Sequence, residues 1–331
     1  MESLESRKKD HIELALRSQT GLHSIDKRFH YEPMLSAHPI AGLKPFTFLG
    51  KEQRIPMWVS SMTGGTKLAG TINRNLAKAC NEFGMGMGLG SCRIILHDDT
   101  FFEDFNMRPI IGDMPLWANL GIAQIEELIV KNKISPASSL IEKLQADGLI
   151  IHVNPMQEWF QPEGDVLNLP PIDTIKRFID KFKYPVIVKE VGQGMGPESL
   201  KQLLQLPLQA IEFAAFGGTN FAKVELLRSE QSESSFFEPL SLIGDDAETM
   251  LESVNAFVAS EDPKCKELII SGGITNFLDG YYFLKKSTLP AVFGMASGFL
   301  KYAREDYEHL QKYIADQVRG LEMAYSYLML R

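Results

Sequence analysis

The chain has 331 residues, 44% hydrophobic and 23% charged, enough for two ordinary domains or one large α/β barrel and too apolar for a disordered polyelectrolyte. A formal net charge of −8 argues against nucleic acid as the main partner, because that partner leaves a basic footprint, while a local basic pocket for a small anion stays open. Three well-separated cysteines (Cys80, Cys92, Cys265) without CxxC spacing speak against a disulfide framework or zinc site, and a polar N-terminus with no apolar run near the ~20 residues of a membrane span predicts a soluble, cytoplasmic protein with no membrane partner.

Residues 1–50 read as an N-terminal extension, with a helix over Arg7 to Arg17 followed by irregular chain, and they hold four of the seven histidines: His11, His23, His30 and His38. Residues 51–331 then alternate short apolar runs with segments of helical period. The runs are Met57–Ser61, Met85–Leu89, Leu116–Leu120, Leu149–Val153, Val186–Glu190, Ala210–Ala214, Leu268–Ser271 and Ala291–Met295. Between them Leu68–Asn81, Ile122–Lys133, Ser139–Gln145, Ile172–Phe182 and Ser199–Leu206 read as helices. Parallel βα units follow, and eight of them predict a closed (β/α)8 TIM barrel with its site at the C-terminal strand ends; a doubly wound open sheet is the alternative. Residues 227–247 form a polar, serine- and glutamate-rich insertion, readable as a lid or as an inert surface excursion. Lys301 to Met329 reads as an amphipathic helix closing the barrel.

The expected strand ends carry the polar and glycine-rich residues. Ser60-Ser61-Met62-Thr63-Gly64-Gly65-Thr66 ends the first and suits close backbone approach along a flat ring. The alternating glycines Gly84 to Gly90 lie within a strand, so they leave room on one barrel face and do not make a dinucleotide loop. After Leu149-Ile150-Ile151 the chain opens into His152, Asn154, Gln157 and Glu158, amide, imidazole and carboxylate groups that suit a polar ligand with an oxygen-bound metal. Lys189 ends the next apolar run; it is either an ion-pair partner of Glu190 or Glu212, or a cation at the pyrimidine edge of a flavin. Ser271-Gly272-Gly273-Ile274 and Gly294-Met295-Ala296-Ser297-Gly298 fall after the seventh and eighth strands, where barrels hold phosphate. Together these features point to FMN over NAD, since no strand–GxGxxG–helix unit with a downstream acidic residue is present.

With those motifs assembled, the chain resembles the type 2 isopentenyl-diphosphate Δ-isomerases from Arg7 to about Ala303. The resemblance rests on Arg7-Lys8-Lys9-Asp10-His11-Ile12, Met62-Thr63-Gly64-Gly65, Gly90-Ser91-Cys92-Arg93, Asn119-Leu120-Gly121, His152 to Glu158, Lys189-Glu190-Val191-Gly192, Gly217-Gly218-Thr219, Ser271-Gly272-Gly273 and Gly294-Met295-Ala296. It implies interconversion of isopentenyl and dimethylallyl diphosphate by an FMN-dependent barrel enzyme of isoprenoid biosynthesis. By position, Arg7 and Lys8 would bind diphosphate, as an arm reaching into a neighbouring subunit of a homo-oligomer (tetramer or octamer). Ser91, Cys92 and Arg93 would lie at the substrate; His152, Asn154 and Gln157 would be catalytic or line its pocket; Glu158 would hold Mg2+. Ser61, Met62, Thr63, Ser91, Asn119, Lys189, Thr219, Gly272, Gly273, Ile274, Ala296 and Ser297 would hold the flavin. Two departures stand out: Cys92 replaces an amide residue common in the family, and the text after Ile274 diverges.

Moving an unactivated double bond needs a strong acid and a base, and the sequence shows no carboxylate pair for that task. A cofactor doing the hard chemistry fits that absence: reduced FMN, primed by NADPH or another reductant, with Mg2+ and basic groups neutralising the diphosphate. His152 is expected to grip the diphosphate, with proton chemistry the alternative. His23, His30 and His38 are read as structural or surface residues. The competing functions are an FMN-barrel oxidoreductase and a non-catalytic flavin- or polyprenyl-phosphate-binding protein. Against the first, no histidine lies between His152 and His309 and no cysteine follows the sixth strand within its loop.

Overall fold

The computed structural model describes residues 4–61, 64–228 and 231–331. Eight parallel strands close into a barrel: β1 Met57–Val59, β2 Gly86–Gly88, β3 Leu116–Gly121, β4 Gly148–His152, β5 Val186–Lys189, β6 Ala210–Glu212, β7 Leu268–Ser271 and β8 Ala291–Met295. Sequential strands are neighbours and β8 pairs with β1, so the sheet has no edge and the open doubly wound alternative is excluded. Each strand falls within an expected run or overlaps it closely, because both faces of a parallel barrel sheet are buried and short apolar runs mark them.

Period two along the strands sorts the interior into layers. The lower layer is apolar: Trp58, Trp117, Ile150, Ile187, Ala210, Ile269 and Val292 pack together. Phe48 and Leu49 plug it from below, from the antiparallel hairpin Phe46–Phe48 and Lys51–Gln53 that precedes β1. The two indoles fit because glycines face them: a Cβ on Gly86 would stand 2.5 Å from the Trp58 ring, and one on Gly148 2.4 Å from the Trp117 ring. Gly86 belongs to the alternating glycines, and this is the space it provides. The main core lies outside the strands, where helices such as Lys67–Phe83, capped by the Thr66 hydroxyl and ended by left-handed Gly84, cover the sheet.

Three segments differ from the sequence expectation. Helix Leu4–Ala15 buries none of its residues, and the chain after it is tied back when Phe29–Tyr31 pairs antiparallel with Leu328–Leu330 at the C-terminus. The 227–247 region is largely helical: Phe221–Arg228 runs into it and Gln231–Ser241 fills most of it, before Asp246 caps the helix Ala247–Ser260. The C-terminal helix is two, Ser297–Ala303 and Tyr307–Tyr327, because Asp306 turns its carboxylate to the His309 amide and starts a new N-terminus. Among the described residues, no helix is long and apolar enough to cross a membrane.

Candidate functional site

Two residues above the apolar layer, the same inward alternation delivers Ser60, Gly88, Asn119, His152, Lys189, Glu212, Ser271 and Gly294. The barrel therefore changes from apolar to polar within one layer, at the C-terminal ends of its strands. Parallel register sets His152 opposite Lys189 and Lys189 opposite Glu212, so imidazole, ammonium and carboxylate residues stand side by side on three adjacent strands.

Above this layer a cavity is walled by Ser61, Lys189, Thr219, Gly272, Gly273, Ile274, Ala296 and Ser297. An adjoining cavity shares Ser61 and Lys189 with it and adds Ser91, Asn119, His152 and Gln157. The structure thus gathers these residues; Met62 and Thr63 lie outside the described residues. Ser60 Oγ, Ser61 Oγ and Glu212 Oε2 are buried without a hydrogen-bond partner among the described residues, so the wall holds polar capacity for a ligand. Backbone itself forms the far wall: Gly272 sits at φ +93°, and a Cβ there would lie 2.1 Å from the Ala215 carbonyl oxygen. Glycine is required at that turn, and the bare peptide groups suit close approach by a flat ring or an anion. These features fit a flavin mononucleotide, with orphaned hydroxyls beside the ring and a side-chain-free loop at the phosphate.

Lys189 is buried, and its ammonium donates to the Glu190 carbonyl oxygen at 2.8 Å. Among the described residues it makes no ion pair with Glu190 or Glu212, which leaves its charge for the cavity. Glu190 points elsewhere: one carboxylate oxygen accepts from the amides of Gly192 and Gln193, at 2.6 Å each, and of Gly194 at 3.1 Å. Burial pushes its carboxyl above the usual range, against those amide bonds. Asn119 donates its amide to the Leu89 carbonyl at 3.1 Å, so its oxygen faces His152 Nδ1 at 2.6 Å. The imidazole must then carry its proton on Nδ1 and leave Nε2 bare. Burial, helped by the Lys189 charge, drives the His152 pKa down to about 3, so the ring is neutral at physiological pH.

Beyond β4, Pro155 starts the short helix Pro155–Phe160, whose first turn carries Gln157 and Glu158. Asn154 is buried at the N-cap; its amide donates to Gln157 Oε1 and to Glu158 Oε1, both at 3.0 Å. It holds the two residues and does not line the cavity as His152 does. Gln157 Nε2 in turn donates to Glu225 Oε1 at 3.1 Å, fixing both ends of that amide. The other Glu158 oxygen accepts from the Asp165 amide at 2.8 Å. Among the described residues no three His, Cys, Asp or Glu groups gather into a metal cage. Glu158 lines neither cavity, but a single carboxylate with lone pairs to spare beyond these two bonds still fits Mg2+ when substrate phosphate oxygens and water complete the shell.

Arg93 reaches Asp165 at 2.8 Å, where Gln124 also donates at 3.0 Å, and its guanidinium is half-exposed at the rim. Between Ser91 and Arg93, Cys92 turns inward: it is fully buried in the core, its thiol donates to the Gly90 carbonyl, and burial pushes its pKa up to about 12. It does not reach the mouth, so the substrate contact expected of it is not part of this geometry. Arg7 and Lys8 are exposed on Leu4–Ala15 and line neither cavity of this chain. Sequence reasoning missed two buried carboxylates as site residues. Glu212 was legible by counting two from Ala210; Glu225 carries no local signal, because only the tertiary fold brings helix Phe221–Arg228 against Gln157.

No family model matches the chain. It is 33% identical over 307 residues to the isopentenyl-diphosphate delta-isomerase of Rickettsia prowazekii (strain Madrid E), covering 90% of this chain and 85% of that protein. It is 34% identical over 316 residues to the isopentenyl-diphosphate delta-isomerase of Nostoc sp. (strain PCC 7120), covering 93% and 87%. Among solved structures, a mandelate oxidase variant with a monooxide FMN adduct matches with TM-score 0.57 at 13% identity, covering 99% of each chain. A flavocytochrome b2 variant with sulfite bound matches with TM-score 0.60 at 16% identity, covering 90% of this chain and 71% of that one. At these identities the two structures share the barrel fold alone.

Proposed function

The chain belongs to the type 2 isopentenyl-diphosphate delta-isomerases, and from that premise we propose that it interconverts isopentenyl and dimethylallyl diphosphate with reduced FMN and Mg2+ held in the polar mouth of its barrel. The observation that carries the cofactor reading is the polar layer over the tryptophan layer, with the Ser60 and Ser61 hydroxyls orphaned among the described residues, a buried Lys189 that makes no ion pair among them, and a glycine-walled loop.

When bound, reduced FMN would supply proton delivery to and removal from the alkene, without net redox change. Lys189 would place its ammonium at the electron-rich edge of the ring and stabilise the charge of the reduced form. Ser61, Met62, Thr63, Ser91, Asn119 and Thr219 would border the ring, while Gly272, Gly273, Ile274, Ala296 and Ser297 would hold the phosphate. Glu158 would hold Mg2+ against the substrate diphosphate, with Arg93 adding charge at the rim. Gln157, locked between Asn154 and Glu225, would present a fixed amide to the alkene end, so Glu225 joins the proposed site as the residue that orients it.

His152 needs a distinction. In its neutral Nδ1–H form, Nε2 has no proton to give a phosphate oxygen, so a grip on diphosphate requires His152 to gain a proton as the anion arrives. Arg7 and Lys8 would act from the arm of a neighbouring copy in a homo-oligomer, a reading supported by a helix Leu4–Ala15 that buries none of its residues. NADPH or another reductant would prime the flavin, in a cytoplasmic enzyme. The purified protein, given FMN, Mg2+, NADPH and isopentenyl diphosphate without oxygen, tests the reading: dimethylallyl diphosphate is the expected product, and its absence sinks the assignment.

A further inference from the structure

Arg28 lies in the segment after the arm, far in sequence from the cavity, yet it is tied to it. Its guanidinium grips Asp26 with three bonds, Nε to Oδ1 at 3.0 Å and to Oδ2 at 3.2 Å, and Nη2 to Oδ2 at 2.7 Å. The remaining Nη1 donates to Asp279 Oδ1 at 2.9 Å. Asp279 sits in the first turn of helix Phe277–Lys286, and its other oxygen accepts from the amide of Thr275 at 2.9 Å and from its hydroxyl at 2.6 Å. Thr275 lines the cavity directly after Gly272, Gly273 and Ile274. The guanidinium also lies over the rings of Phe29 and Tyr282, 5.2 and 5.4 Å from their centroids. Phe29 is locked by strand pairing to Leu330, and Arg331 donates its amide to the Arg28 carbonyl at 3.1 Å.

Arg28 is one cation between two carboxylates, Asp26 and Asp279, so the cluster keeps a single net negative charge with it and would carry two without it. Burial opposes ionisation of Asp279, but the Thr275 and Arg28 hydrogen bonds hold its pKa below the usual carboxylate range, so it stays charged. Its carboxylate is one hydrogen bond from the loop that would hold the flavin phosphate. An anion there repels a phosphate unless a cation offsets it, and the side chain is too shielded for solvent to do so fully. We propose that Arg28 is a positioning residue for the FMN phosphate loop, holding Asp279 and offsetting its charge, and so favouring FMN over riboflavin. The N- and C-terminal strand pair holds the guanidinium on station, which gives the terminal clasp a role in cofactor choice. The inference rests on the reading of the 272–275 loop as the phosphate site.

The test compares dissociation constants for FMN and riboflavin, by flavin fluorescence, in the wild-type chain, Arg28→Gln, and Arg28→Gln combined with Asp279→Asn. Arg28→Gln is expected to weaken FMN about tenfold and leave riboflavin unchanged, since riboflavin lacks the phosphate. The double variant, freed of the carboxylate that bonds Thr275 in the loop, is expected to regain most of the FMN affinity. Unchanged FMN affinity in Arg28→Gln overturns the proposal, as does an equal loss for both flavins or a double variant as weak as the single one. A wild-type chain that binds riboflavin as tightly as FMN would instead bring down the phosphate-loop reading itself, and the proposal with it.

Discussion

His152 Nδ1 lies 2.6 Å from Asn119 Oδ1, and because the Asn119 amide is committed to the Leu89 carbonyl, the contact fixes which imidazole nitrogen carries the proton. Burial first, and the Lys189 charge second, lower the His152 pKa from 6.5 to about 3. The unfolded chain thus binds a proton between those values that the folded chain refuses. His152 therefore destabilises the fold as pH drops below 6.5, with a slope approaching ~1.4 kcal/mol per pH unit, and has no such effect above it. Urea unfolding of the flavin-free protein between pH 7.5 and 5 measures this. His152→Asn is expected to flatten the slope; identical slopes in both proteins would contradict the buried neutral state.

Glu158 is held by Asn154 and the Asp165 amide, away from the glycine-walled cavity. Glu158→Gln keeps the shape and removes the charge. Isomerase activity is expected to fall on the order of a hundredfold, with the Mg2+ requirement weakened and FMN content intact. Loss of bound flavin from this variant would move Glu158 to the wrong side of the site.

Gln157 depends on Glu225 for its orientation. With Glu225→Ala the amide loses one of its two anchors and rotates. We expect kcat to fall by roughly tenfold to a hundredfold while KM changes little, because orientation acts on the reacting atoms more than on diphosphate binding. A KM rise at constant kcat would assign Glu225 to substrate binding.

Gly272 and Gly50 share a left-handed backbone but differ in surroundings. A Cβ at Gly272 meets the Ala215 backbone at 2.1 Å, whereas one at Gly50 meets nothing within 4 Å. Gly50→Ala should cost about 1 kcal/mol, the backbone penalty alone. Gly272→Ala should displace the loop and lose flavin as well as thermal stability. Equal shifts in melting temperature for the two would deny the close packing of the loop.

The barrel was legible because eight short apolar runs end in polar or glycine residues, a pattern forced by strands buried on both faces. The change of layer from Trp58 to Ser60 and from Trp117 to Asn119 follows from the same period of two. What escaped had no local cause. Cys92 lies between two rim residues and only the turn at Arg93–Ile95 decides that it faces the core. The contacts of Glu225 with Gln157 and of Asp279 with Arg28 join residues far apart in the sequence, so only the folded chain shows them. The break at Arg304 to Asp306 was written in a capping aspartate, a signal masked by apolar periodicity on both sides.

Whether the polar mouth orients substrate for flavin-based proton transfer is decided by counting turnovers against flavin state. Protein holding dithionite-reduced FMN, with Mg2+ and isopentenyl diphosphate in the absence of oxygen and NADPH, is followed by its flavin spectrum and by product. Many molecules of dimethylallyl diphosphate per flavin are expected while the spectrum stays reduced. Product forming as fast with oxidised flavin, or with none, would contradict a role for the reduced flavin.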